Sequence, residues 1–273
     1  MSYNIILNSD NVSNNLNSQF KYNFINGNFT IKEGAELTVS EIQIPYSWFN
    51  ITQLYNNNKL NLIDWKGTTY NITFPDGFYL VSDINKYLET FCINNGLYLI
   101  NDAGKYIYYF NFLSNSTYYR NQFLFYPVPV SLPSGWVQPS NFVGFPTIAT
   151  CPRIVILDND FVKYSGFNAG TYGGGSIDLS ILSQSVPLGS NANSIIVRCN
   201  LISNPVGFPS DILDTFAIDG TFGSNINYLP KFEKWVKVKS GTYSNLIITL
   251  EDQNYNQLIC NDPNTTISLL LKQ

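Results

Sequence analysis

Apolar and polar residues alternate along much of this chain with period two, the spacing of a strand with one face buried. Phe20, Tyr22 and Phe24 share one parity, and Phe29 and Ile31 alternate again after Asn26-Gly27, which predicts a hairpin. Glu36–Tyr46 is the clearest strand of the first half. Its parity changes partway: Leu37 and Val39 point one way, while Ile42, Ile44 and Tyr46 have the opposite parity. A sheet face cannot switch parity without an extra residue, so a β-bulge or a change of sheet is expected near Ser40-Glu41. Pro45 places the end of this strand at an edge, since proline has no N–H for a ladder.

Further strands are expected at Leu60–Asp64, Thr68–Phe74, Leu97–Ile100, Lys105–Phe112, Gln122–Tyr126 and Arg153–Leu157. Later ones are Ser194–Cys199, Trp235–Lys239, Leu246–Glu251, Gln257–Cys260 and Thr266–Leu271. Helical spacing is convincing in one place. Ile84, Tyr87, Leu88, Phe91 and Cys92 fall at i, i+3, i+4, i+7 and i+8, with Ser82 as the cap and Asn94-Asn95-Gly96 as the stop. This predicts one short helix near 83–94 whose apolar face packs on a sheet. Ser210–Phe216 suits one more helical turn. About 127–190 is loop-rich, with Pro127-Val128-Pro129-Val130 and Gly173-Gly174-Gly175, and loops this long usually carry function or an interface. No fixed period repeats.

Composition sharpens the all-β reading. Aromatics make up 15% of the 273 residues and charged residues only 12%, and Tyr, Phe, Ile and Thr suit pleated surfaces. The 36 Asn supply neutral turns and loops. A/T-rich coding explains most of that excess, and low surface charge also removes a usual barrier to self-association. The net charge of −4 disfavours general nucleic-acid binding. Within Lys231, Lys234, Lys237 and Lys239, the last two alternate with Val236 and Val238 and read as the solvated face of a strand. The first twenty residues lack the basic start and apolar core of a signal peptide, and no stretch has the length of a membrane span. Cys92, Cys151, Cys199 and Cys260 are scattered, which reads as reduced core residues. The six Asn-x-Ser/Thr triplets, at Asn11, Asn28, Asn50, Asn71, Asn115 and Asn264, are about as many as chance supplies in so Asn-rich a chain.

Chemistry is narrowed further by the absence of histidine, which removes Ser-His-Asp and Cys-His catalysis and His-bearing zinc sites. The triple glycine lacks the Lys-Ser/Thr of a phosphate loop. Among 19 acids no pair stands out as a glycosidase pair. Asp158-Asn159-Asp160 could offer oxygens to Ca²⁺, but a turn capped by these side chains is the better reading. Trp48, Trp65, Trp136 and Trp235 could stack on sugars; burial or an interface is the commoner fate. No catalytic, cofactor-binding or metal-binding residue is assigned, no cofactor is expected, and the chain is not expected to be an enzyme.

Glu41-Ile-Gln-Ile-Pro-Tyr-Ser-Trp-Phe-Asn-Ile51 resembles a segment of the penton proteins of virophages and Polinton-like viruses. Tyr70-Asn-Ile-Thr-Phe-Pro-Asp-Gly-Phe-Tyr79 with Ser82-Asp-Ile-Asn-Lys-Tyr-Leu88 is similar to their strand, turn and short helix. Leu246-Ile-Ile-Thr-Leu-Glu-Asp-Gln253 and Thr266-Ile-Ser-Leu-Leu-Leu271 resemble their closing strands. The resemblance implies a jelly-roll β-sandwich of two antiparallel four-stranded sheets. It implies a single domain over 1–273, with 1–34 as N-terminal arm and edge strands and about 127–190 as a loop-rich elaboration. Its eight strands are expected near 36–46, 68–74, 105–112, 122–126, 153–157, 194–199, 244–251 and 265–271. The implied role is a structural capsid protein whose homopentamer closes the fivefold vertices of an icosahedral shell, beside capsomers of the major capsid protein. It would reside in the virion after assembly in the infected host cell's cytoplasm. Alternatives are a carbohydrate-binding or host-attachment β-sandwich, or another minor capsid protein.

Overall fold

The structure is a computed structural model that describes residues 1–157 and 161–273; Asp158-Asn159-Asp160 lies outside the described residues. In chain order the first strands are β1 (Ser2–Leu7), β2 (Gln19–Asn23), β3 (Phe29–Ile31) and β4 (Glu36–Pro45). There follow β5 (Lys59–Ile63), β6 (Thr69–Thr73), helix α1 (Val81–Asn94), β7 (Tyr98–Ile100), β8 (Tyr106–Tyr108), β9 (Phe110–Asn115) and β10 (Arg120–Phe125). Next come β11 (Arg153–Ile156), the single turn α2 (Val162–Ser165), β12 (Gly170–Gly173) and β13 (Leu179–Leu182). The last are β14 (Ser194–Cys199), β15 (Ile212–Ala217), β16 (Asn225–Tyr228), β17 (Val236–Lys237), β18 (Gly241–Tyr243), β19 (Asn245–Glu251) and β20 (Thr266–Lys272). These elements form two compact units, Met1–Trp48 with Asn191–Gln273, and the continuous Phe49–Ser190.

The first unit is a jelly-roll. One sheet has the order β1-β20-β4-β16 and the other β15-β14-β19-β2, all antiparallel. Numbering these eight strands along the chain, the sheets read 1-8-3-6 and 5-4-7-2, the interleaved order of a double Greek key. Alternation fills the core. Leu37, Val39, Ile42, Ile44, Ile267, Leu269 and Leu271 are buried on one sheet, and Phe20, Ile195, Val197, Leu246, Ile248 and Leu250 on the other.

The parity switch in β4 is a bulge, as expected. Glu41 pairs with Ser268 and Val39 with Leu269, leaving Ser40 as the extra residue that turns both halves of the strand inward. Pro45 lies past the end of the β20 ladder and has a strand neighbour, β16, on one side alone.

The second unit has a four-stranded sheet β12-β11-β5-β6, a three-stranded sheet β13-β10-β9 and the hairpin β7-β8. Helix α1 packs on β9, and the Asn85 side-chain oxygen accepts the Phe112 N–H at 2.8 Å. Ile84, Leu88 and Cys92 are buried, whereas Tyr87 and Phe91 are half-buried. The core is rich in rings: Phe123 lies 4.8 Å from Phe112 and 4.7 Å from Phe167, and Phe74 stacks on Phe161 at 5.5 Å. Gly96 ends α1 at φ +67°, where a Cβ would run into the Asn141 carbonyl.

Several expectations are corrected. The jelly-roll strands are not the expected eight. Those near 68–74, 105–112, 122–126 and 153–157 belong to sheets of the second unit, and β1, β2, β15 and β16 complete the sandwich. The short strands before residue 32 do lie at sheet edges, with β1 and β2 each terminal in its sheet. The chain turns at Asn26-Gly27, but β2 and β3 do not pair with each other; they pair with β19 and β18. Residues 105–112 contribute to two strands, because β8 pairs with β7 and β9 with β10. Gln257–Cys260 makes one isolated bridge, Gln257 to Glu251, rather than a strand. Helix α1 begins before Ser82: Leu80 is its N-cap, and the Asp83 carboxylate accepts the Leu80 N–H at 3.0 Å. The stretch expected as a helical turn is β15, which lies against β14.

Candidate functional site

The residues singled out for chemistry are dispersed. All four cysteines are buried free thiols. Burial pushes the Cys92, Cys199 and Cys260 thiols up to about 12 and Cys151 to about 11, so none is poised as a nucleophile. Among the described residues no group of three or more His, Cys, Asp and Glu side chains could hold a metal ion. Gly173, Gly174 and Gly175 all have positive φ, but the Gly174 N–H donates to the Pro152 carbonyl at 3.0 Å, so the run turns the chain beside β11. Among the described residues no helix is long and apolar enough to cross a membrane.

Of the tryptophans, Trp48 and Trp65 are buried, and the Trp65 indole N–H donates to the Gly144 carbonyl at 2.7 Å. Trp136 is half-buried against the second unit's core. Trp235 is half-buried too, with the Lys272 ammonium 5.0 Å from its ring centre. Lys237 and Lys239 are exposed beside buried Val238, as the alternation predicts.

Two charge clusters in the jelly-roll were not anticipated. Arg198 donates to both oxygens of Asp211 at 2.9 Å and to Glu251 Oε1 at 2.8 Å, which joins β14, the end of β19 and the β14–β15 loop. Glu251 is buried, and its Oε2 has no hydrogen-bond partner among the described residues. Burial, followed by nearby Asp211 and Asp252, outweighs Arg198 and raises the carboxyl's pKa. In the second cluster Asp214 is buried. It accepts the Lys234 ammonium at 2.6 Å and the Tyr228 hydroxyl at 2.8 Å. The available signal is one charged residue inside each strand, Arg198 in β14 and Asp214 in β15. Their partners lie too far along the chain for spacing to reveal.

Open grooves among the described residues include three. One, of about 250 Å³, is walled by Tyr3, Tyr22, Phe24, Ile25 and Phe29 of the jelly-roll. A second, of about 520 Å³, lies along β15 and β16 and includes Asp219, Asn227, Lys231 and Phe232. The third, of about 580 Å³, lies in the other unit between the start of α1 and the end of β9. Large apolar side chains also stand out in water, among them Ile25, Val206, Phe208 and Phe232 in the first unit and Ile148 and Ile177 in the second. None of these features has the convergent acid, base and nucleophile geometry of a catalytic site.

No family model matches the sequence, and no curated protein matches it. The structure is similar to that of the mavirus penton protein over 99% of this chain and 97% of that one, with 10% identity and a TM-score of 0.45. It is also similar to a chain of the Sputnik virophage, over 99% and 97% of the two chains, with 13% identity and a TM-score of 0.37.

Proposed function

We propose that this chain is a non-enzymatic capsid protein, and that five copies form the ring that closes a fivefold vertex of an icosahedral viral shell. The observation that carries the reading is the jelly-roll order of the first unit, with an edge strand at both ends of each sheet. Such a body has two unlike flanks. Joined flank to flank about a rotation axis, it makes a heterologous ring that ends when the rotation closes. Of the segments that resemble penton proteins, 41–51 begins in β4, and 246–253 and 266–271 run along β19 and β20, all jelly-roll strands, which supports the same role. The segments 70–79 and 82–88 belong to β6 and α1 of the second unit.

The exposed apolar residues say where contacts would form. Val130, Val137, Ile148 and Ile177, within the stretch expected to touch neighbours, are all more than half exposed in the single chain. Interface centres favour apolar residues and exclude charge. Neighbouring capsomers of the major capsid protein are the other proposed partners. The proposed location is the virion, with assembly in the infected cell's cytoplasm. Light scattering or native mass spectrometry should give about five times the chain mass of 30.9 kDa, or a monomer that becomes a fivefold ring in assembled shells. A stable trimer or twofold dimer would end the vertex reading.

A further inference from the structure

We propose that the groove along β15 and β16 of the jelly-roll is a saccharide-binding site, with Phe232 as its stacking platform. Its floor is rigid. Tyr228 stacks on Phe216 with ring centres 4.3 Å apart and planes 8° from parallel. The Tyr228 hydroxyl is fixed on buried Asp214, which also holds the Lys234 ammonium. In the same groove the Phe232 ring is 82% exposed, which exceeds any need of the core and leaves a ring face open to a ligand.

The polar lining identifies the ligand class. The side chains of Asp219, Asn227 and Lys231 line the same groove and are exposed, and they have no hydrogen-bond or ion-pair partner among the described residues. Together they present a charged acceptor, an amide that both donates and accepts, and a charged donor. A sugar ring matches this set, since its hydroxyls donate and accept around the rim while its C–H face lies on an aromatic ring. A phosphate-bearing ligand would meet the Asp219 carboxylate, and a purely apolar ligand would leave three polar groups unused. β15 and β16 each have a strand neighbour on one side only, so outward backbone groups add donors and acceptors along the groove. At about 520 Å³ the space accommodates one or two sugar residues, and its openness to solvent suits weak, millimolar binding.

The site does not depend on the pentamer, and the test separates the two. The full chain is titrated with glucose, galactose, mannose, N-acetylglucosamine, glucuronate and their short oligomers, followed by saturation-transfer NMR, while the assembly mass is measured on the same samples. At least one member of the panel is expected to bind with a Kd of about 1 mM or tighter. Phe232→Ala and Asp219→Asn should each weaken that binding about tenfold, and Phe232→Trp should retain it. Because Phe232 is exposed, its replacement leaves the fold intact. Absence of binding at about 10 mM throughout the panel would overturn the proposal, as would binding that Phe232→Ala leaves unchanged. A change of assembly mass in Phe232→Ala without saccharide binding would reassign the groove to a subunit contact and overturn it too.

Discussion

The two units of this chain bury comparable cores by different means. Of the seven largest fully buried side chains, Phe20, Phe74, Phe112, Phe123, Phe125, Phe161 and Phe167, all but Phe20 lie in the Phe49–Ser190 unit. The jelly-roll instead stacks Leu, Ile and Val from opposing strands. A sandwich with two long regular faces needs branched aliphatics of even height, because the gap between its sheets is uniform. The other unit combines short sheets, a helix and irregular segments, and leaves uneven spaces that large rings fill. Aliphatic alternation therefore marks the regular unit, and ring clusters mark the irregular one.

The most damaging way to probe this contrast is Phe123→Ala. It removes a ring in contact with Phe112, Phe125 and Phe167, and should cost about 3–5 kcal/mol. Hydrogen exchange should show the loss in β9 and β10 while protection of β19 and β20 persists. Equal loss in both sets of strands would mean that the units unfold as one.

A smaller effect is expected in the jelly-roll from Arg198→Ala, which leaves Asp211 and buried Glu251 without their shared partner. A loss of about 2–3 kcal/mol is expected in urea unfolding. A loss below about 0.5 kcal/mol would class the cluster with ordinary surface ion pairs.

Deleting Ser40 should cost less, about 1–2 kcal/mol. Leu37, Val39, Ile42 and Ile44 would then alternate without interruption, and Glu41 and Val39 would still face Ser268 and Leu269. A chain that fails to fold would show that the bend at the bulge, rather than the parity it restores, is what the strand requires.

The smallest change is expected from Glu251→Gln. Since folding raises the pKa of this group, the folded chain binds its proton more tightly than the unfolded chain. Stability from Glu251 therefore falls as pH rises through the interval between the unfolded and folded values, and its ionisation is a net cost at neutral pH. Glu251→Gln should raise the urea midpoint slightly at pH 7, and the gain should vanish in acid below the ordinary carboxylate range, where Glu251 is itself protonated in both states. A lower midpoint at pH 7 would show that the charge is needed opposite Arg198. With no histidine in the chain, the wild-type midpoint should stay nearly flat between about pH 6 and 8.

Much of the fold was legible because most of its strands are amphipathic. Period two identifies a strand and its buried face, hence β4 with its bulge, β14, β19 and β20. It does not name the partner, since one half-buried strand pairs as well with any other. That is why β2 and β3 read as a hairpin although each lies on a strand more than two hundred residues away in sequence. It is also why β6, β9, β10 and β11 read as sandwich strands although they pair within the second unit. β15 was misread for a different reason. Asp214 interrupts its pattern, and the Lys234 and Tyr228 that make its burial tolerable lie outside any local window. The grooves were illegible throughout, because they join residues that sequence spacing never brings together.

The placement of Phe49–Ser190 between β4 and β14 has a consequence for the order in which the chain folds. This unit is one continuous segment, whereas β1, β2 and β4 of the sandwich must wait for strands that leave the ribosome much later. The inserted unit can therefore be complete while the sandwich is still half made. As it folds, the Asn50 amide donates to the Gly189 carbonyl at 2.9 Å and fastens the beginning of the segment to its end. The sandwich then forms as though β4 and β14 were joined by a short connector, without the loop-closure entropy of the intervening residues.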